Sequence, residues 1–223
     1  MSAIRSDHRT APAPFAAPIP RPFHVRPVRS VVPLAVLFRE GDAAGHLYEV
    51  IAGTLRLTRV LETGRRQVVA FAHPGDVVGF PAGGLHHADC EALTEATVIA
   101  HAGSALTGAG RDPELRQSLQ AAALAEIAQL QDHLLLLARK GAAGKLASFL
   151  GDLADRRGAA GPDGIALDLE MPRADIADYL CLTIETVSRT LTRMCDEGLI
   201  VRDGTARLIV TDRAGLERMA SAD

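Results

Sequence analysis

Residues 174–190 read ADIADYLCLTIETVSRT, and the fold turns on how the break inside this stretch is understood. Upstream, Pro172 suits the first turn of a helix, where its missing N–H costs nothing, and Asp175 suits the positive end of the helix dipole. Ile176, Ala177 and Leu180 then make one apolar face. Cys181-Leu182 breaks that period, and Thr183 is placed to cap a second helix that runs to about Glu197 and is stopped by Gly198. The expectation is helix, three-residue turn, helix.

On the second helix Ile184, Val187, Leu191 and Met194 share a face at i, i+3, i+7 and i+10, so that face should pack inward. The opposite side presents Glu185, Ser188, Arg189 and, further along, Arg193. In a DNA major groove arginine grips guanine O6 and N7 with two bonds, glutamate accepts from the cytosine amino group, and serine bonds either way. The first turns of a recognition helix are the part that reaches base edges. Beyond Gly198, LIVRDGTARLIVTD reads as a hairpin turning on Asp203-Gly204, a wing beside the two helices.

The competing reading is two packed helices with a solvated charged face. Residues 171–223 hold seven arginines, no lysine and nine acidic residues, so local charge favours that duller reading. The order of the elements, the small size of the unit and the wing favour a winged helix-turn-helix and double-stranded DNA as its partner.

Working outward, residues 113–139 contain no glycine or internal proline and are rich in good helix formers. Leu119, Ala123, Ile127, Leu130, Leu134 and Leu137 fall close to an a/d seam, which fits either a buried core helix or a dimerising one. Polar Gln129, Gln131 and Asp132 beside the seam favour a homodimer. A further helix is expected over about 142–156, closed by the loop RRGAAGPDG. From about Leu34 to Ala105 short apolar runs are cut by glycine turns, a pattern of β sandwiches and barrels, with Glu62-Thr63-Gly64-Arg65 a hairpin turn. Residues 1–33 hold seven of the twelve prolines and should form a flexible tail.

Composition sets limits on all of this. The 223 residues, 48% hydrophobic, suffice for real cores. Three cysteines without C-x-x-C, no signal segment and no run long enough to span a membrane point to a reduced, cytoplasmic chain. A net charge of −3 gives no global footprint of a nucleic-acid binder. No G-x-S-x-G or H-E-x-x-H occurs, and GAAGK fails as a phosphate-binding loop because Arg139 and Leu146 stand where glycine and Ser/Thr belong. Catalysis is not expected.

At DIADYLCLTIETVSRTLTRMCDEGLI the chain resembles the CRP/FNR superfamily of bacterial transcription regulators, and its E-T-V-S-R core resembles the FNR and FixK-like branch. LYEVIAGTLRL, GRRQVVAFAHPGDVVGF and LLLLARKGAAGKLASFL extend the resemblance over most of residues 34–215. It implies an α+β fold: a flexible tail (1–27), a double-stranded β-helix domain like those that bind cyclic nucleotides (28–110), a dimerisation helix (111–139) and a winged helix-turn-helix (140–223). It also implies an activator that meets RNA polymerase and reads TTGAT-N4-ATCAA-like inverted repeats, governing microaerobic or anaerobic genes. Carried over by position, Glu185, Ser188 and Arg189 become base readers, while Thr183, Thr186 and Arg193 contact phosphates or flanks. Two-fold symmetry predicts half-sites about one helical turn apart.

The residues of the barrel speak against each of the family's cofactors. The family's cyclic-nucleotide binders supply an arginine to the cyclic phosphate, yet residues 67–110 contain no Lys or Arg, and a buried unpaired phosphate is expensive. No cysteine precedes Cys90, and three in total cannot supply the four thiolates of an FNR-type iron-sulfur cluster. His86, His87 and Cys90 leave a haem gas sensor as the alternative, although adjacent histidines in a GGLHHAD loop read more simply as surface residues. A non-DNA-binding adaptor with the same barrel is the other competing class. The expectation is a regulator without cofactor or metal.

Relatives usually carry glycine where Cys181 stands. The simple reading is a small residue fitted into a slightly different turn. The sharper one is a redox-sensitive thiol at the mouth of the recognition helix, where oxidation would put bulk and charge beside DNA.

Overall fold

The protein is seen in a computed structural model that describes residues 27–107 and 112–222. The tail expected over residues 1–27 therefore lies, apart from Pro27, outside the described residues.

Glycine turns cut the N-terminal half into eight strands: β1 (Val28–Val31), β2 (Val36–Phe38), β3 (His46–Ala52), β4 (Leu55–Val60), β5 (Arg66–Ala72), β6 (Val77–Val78), β7 (Asp89–Ala92) and β8 (Ala96–Ala102). They form two antiparallel four-stranded sheets, ordered β1-β8-β3-β6 and β2-β7-β4-β5. Both sheets are laced by long-range pairs such as Tyr48↔Ala100 and Leu57↔Cys90. Val31, Phe38, Val50, Leu55, Val98 and their neighbours fill the space between the sheets. Gly53, with φ +81°, sits where an added Cβ would meet the Glu95 carbonyl at 2.3 Å, so the β3–β4 turn requires glycine. The β4–β5 hairpin turns over residues 61–65, with Gly64 at φ +77°.

A short α1 (Ser104–Thr107) leads to α2 (Pro113–Arg139), which matches the helix expected from the sequence. Asp112 caps it, accepting from the Leu115 amide at 2.9 Å, and Pro113 begins it. Then come α3 (Ala142–Arg157), β9 (Ala159–Gly161), β10 (Gly164–Asp168), α4 (Arg173–Tyr179), α5 (Ile184–Asp196), β11 (Ile200–Asp203), β12 (Arg207–Val210) and α6 (Arg213–Ser221). The segment expected as a closing loop after α3 is instead a second hairpin, β9–β10. Ile165 and Leu167 pair with Val210 and Leu208, extending the wing into a four-stranded sheet ordered β11-β12-β10-β9. The polar RRGAAGPDG hid this because only β10, with Leu167, sends side chains into the core. That core gathers Leu146, Leu150, Ile176, Leu180, Leu191, Met194 and Leu208 from α3, α4, α5 and the wing.

One seam residue departs from expectation. Leu119 is fully buried in its own chain with Leu47, Val77 and Ala105, because the first turns of α2 lie on the barrel. It is not available to a partner.

Candidate nucleic-acid interface

The break at LCLT is a helix terminator followed at once by a helix cap. The Cys181 amide donates to the Asp178 carbonyl at 3.2 Å and the Leu182 amide to the Ala177 carbonyl at 2.9 Å. This paired pattern ends a helix by turning one residue left-handed, and that residue is Cys181, with φ +53°. Its thiol is free and exposed. Two residues on, the Thr183 hydroxyl accepts from the Thr186 amide at 3.1 Å and starts α5. Thr183 and Thr186 also bond to each other through their hydroxyls at 3.0 Å.

Val187, Leu191 and Met194 are buried, as their spacing requires, and Thr190 joins them. Ile184 does not, being 47% exposed at the first position of α5. Glu185, Ser188, Arg189 and Arg193 are all exposed. The first three occupy the first two turns of α5, the part of such a helix that reaches base edges. Hydrogen bonds hold the Glu185 carboxyl below its usual range, first from its own backbone amide and then from the Thr183 hydroxyl, with Arg189 adding attraction. It is therefore an ionised acceptor at neutral pH. Arg193 pairs with Glu197 at 2.7 Å, an exposed one-turn pair that releases at little cost.

The structure adds two residues that the sequence reading passed over. Arg202 on wing strand β11 donates to the Thr192 hydroxyl at 2.9 Å, fixing the wing beside the recognition helix. Only the pairing of β11 with β12 places Arg202 there, although an arginine on a wing strand was a visible signal.

One face of the middle of α2 stays free of its own chain. Ile127, Leu130 and Leu134 are 52%, 48% and 66% exposed, and Leu124 and Leu135, absent from the expected seam, are exposed as well. Ala123 and Leu137 are half-buried.

The residues weighed as ligands do not converge. His86 is buried and stacks on Phe38 at 3.9 Å, His87 is exposed, and Cys90 is fully buried with its thiol pushed well above the usual range by desolvation. Among the described residues no cluster of His, Cys, Asp and Glu could hold a metal ion. The cavity between barrel and α2 offers about 70 Å³, well short of the several hundred Å³ usual for a small-molecule site. Leu57, Phe71, Asp76, Val78, Glu126 and Gln129 help to line it, and no Lys or Arg does. Burial, with Asp76 nearby, raises the Glu126 carboxyl to about 7. An acid-lined cavity of this size does not fit a cyclic nucleotide.

Comparison with known proteins agrees with the architecture. The pattern of the cyclic nucleotide-binding domain matches residues 28–108 and that of the Crp-like helix-turn-helix domain matches residues 144–219. The chain is 41% identical to the nitrogen fixation regulation protein FixK of Azorhizobium caulinodans over 187 residues, 83% of this chain and 75% of that protein. It is 36% identical to the anaerobic regulatory protein of Haemophilus influenzae over 184 residues, 81% of this chain and 71% of that one. The structure of FixK2 from Bradyrhizobium japonicum matches with a TM-score of 0.81 at 34% identity, covering 90% of this chain and 100% of that one. These relatives are transcription regulators and not enzymes, and a barrel joined through a long helix to a capped helix pair and wing is the same architecture. The chain belongs to the CRP/FNR family of DNA-binding transcription regulators, in its FixK-like branch.

Proposed function

We propose that this regulator binds, as a homodimer held by α2, to inverted repeats of the TTGAT-N4-ATCAA type. There it meets RNA polymerase and activates genes of microaerobic or anaerobic growth in the cytoplasm, without cyclic AMP, an iron-sulfur cluster or another cofactor. The observation that carries this reading is the exposed face of α5. Arg189 has the two-pronged geometry for guanine, Glu185 is an ionised acceptor for a cytosine amino group, and Ser188 lies between them. Thr183, Thr186 and Arg193 flank these three at the helix mouth and one turn beyond, suited to backbone contacts that set register.

The free stripe on α2 supports the dimer, since a row of exposed leucines and isoleucine in the middle of a long helix calls for a second apolar surface. The low-oxygen role is supported by the names of the relatives, one a nitrogen fixation regulator and one an anaerobic regulator.

A mobility-shift assay tests the reading. Reduced full-length protein at modest salt should retard a TTGAT-N4-ATCAA duplex and not a duplex with both half-sites scrambled. Equal retardation of both, or of neither, removes the proposal.

A further inference from the structure

The helix that precedes the recognition helix carries a carboxylate that faces the barrel. Asp175 on α4 is 1% exposed. Arg56 on β4 donates through Nη1 to one of its oxygens, and Arg66 on β5 donates through Nη2 to the other at 2.5 Å. The second Nη of Arg56 reaches Glu91 on β7 at 2.8 Å, and Arg66 also leans on Asp178, nearly one turn along α4, at 3.3 Å. Gln67 on β5 donates to the Asp178 carbonyl. The β4–β5 hairpin thus holds α4 by its side chains and by its backbone.

A second fastening lies at the end of α3. Arg157 donates to both carboxylate oxygens of Glu170, at 2.8 and 3.0 Å, and to the Thr54 hydroxyl at 2.6 Å. Arg156 reaches both oxygens of Asp76 before β6, at 2.6 and 2.5 Å.

Burial of ions is a poor way to gain stability, because desolvation offsets most of the attraction and an apolar contact of similar volume serves as well. Planar guanidinium groups on a fixed carboxylate do something an apolar contact does not: they specify direction. Domains of one chain otherwise move relative to each other by default. Since α4 and α5 share one core and one hydrogen-bonded turn, whatever orients α4 orients the recognition helix. In the clasped arrangement Glu185, Ser188 and Arg189 all remain exposed.

We propose that Asp175, gripped by Arg56 and Arg66, is a positioning residue for DNA binding. The clasp fixes the helix-turn-helix on the barrel at the angle that lets both recognition helices of a dimer enter successive major grooves. The inference rests on the DNA-binding reading above.

The test uses full-length Asp175→Asn, Arg66→Gln and Arg66→Lys. Arg66 is partly exposed, so its variants fold even where the buried substitution does not. Kd is measured for the inverted repeat and for a duplex with a single half-site. In a Cys195→Ser background, spin labels on Cys181 and on a cysteine replacing exposed Ser30 of β1 report the angle between domains. Asp175→Asn and Arg66→Gln should weaken binding to the inverted repeat about tenfold, the effect of reducing the competent orientation to about a tenth of molecules. They should leave the single half-site within about twofold and broaden the label distances, while Arg66→Lys behaves closer to wild type. Equal losses on both duplexes would mean a merely structural role and overturn the proposal, as would unchanged or tighter binding to the repeat. If wild-type protein shifts neither duplex, the DNA-binding reading fails instead, and an unbroadened distance distribution in Asp175→Asn separately removes the clasp.

Discussion

The Leu182 amide donates to the Ala177 carbonyl at 2.9 Å, closing a turn whose geometry leaves Cys181 at φ +53°. A side chain in that left-handed region costs about 1–2 kcal/mol, which glycine avoids. Cys181→Gly should therefore raise stability by about 0.5–1 kcal/mol, part of the relief being offset by greater freedom of the unfolded chain. A higher urea midpoint at unchanged slope is the expected result. A lower midpoint would mean that the cysteine side chain contributes packing that outweighs the strain.

The same exposed thiol bears on oxidation. Peroxide should weaken DNA binding by wild type and leave Cys181→Ser untouched, because a sulfenic acid or larger adduct at the mouth of α5 adds bulk and polarity where the phosphate backbone approaches. Equal binding by treated and untreated wild type ends that idea.

Arg189→Ala should cost about 1–3 kcal/mol per half-site and abolish preference at the guanine it reads. Arg202→Ala, by contrast, removes only a wing contact to Thr192 and should weaken binding evenly across sequences. Competition assays with single-base variants of the half-site separate the two. Retained guanine preference in Arg189→Ala would reassign the reader.

On α2, exposure divides the seam. Leu134→Glu places a charge on the exposed stripe and should yield monomers by sedimentation equilibrium, with the barrel intact. Leu119→Ala should destabilise the chain by about 2–5 kcal/mol, because Leu119 is fully buried beside Leu47 and Val77. A dimer of unchanged affinity in Leu134→Glu would place the interface elsewhere.

His73 predicts a pH dependence. Burial first, and then the charges of Arg156 and Arg157, lower its pKa to about 3 from the usual 6.5. Its Nδ1 accepts from Arg157 at 3.0 Å, a bond that protonation would destroy. The unfolded chain takes up this proton below about pH 6.5 and the native one only near pH 3. This site's contribution is thus present above pH 6.5 and lost as pH falls, at up to about 1.4 kcal/mol per pH unit. His73→Gln should be less destabilised than wild type on going from pH 7 to pH 4.5 in urea titrations. A parallel loss in both proteins would show that other groups carry the acid limb.

Local rules made much of the fold legible. Thr183 caps α5 because a hydroxyl one residue before a helix satisfies an otherwise orphaned amide, and Asp112-Pro113 opens α2 for the same reason. The apolar spacing of Val187, Leu191 and Met194 gave the inner face of α5 correctly. Ile184 obeyed the same period and still lies half-exposed, because periodicity says which side a residue takes and not whether another element covers it there. The seam on α2 shows the same limit, since Leu119 and Leu134 share a stripe while one is sealed by the barrel and the other is bare.

The sequence by itself determined the long helix α2, the helix pair α4 and α5, the turn at Cys181 and the side of α5 that carries Glu185, Ser188 and Arg189, while the β9–β10 hairpin escaped it. These follow from interactions within a few residues, whose spacing is fixed by helix and turn geometry. What only the tertiary structure decided is where remote charges meet. Asp175 read as a helix-dipole residue, yet it is buried between Arg56 and Arg66, more than a hundred residues away in sequence. No local pattern encodes such a pair, because its partners are chosen by the packing of the barrel against the helix-turn-helix.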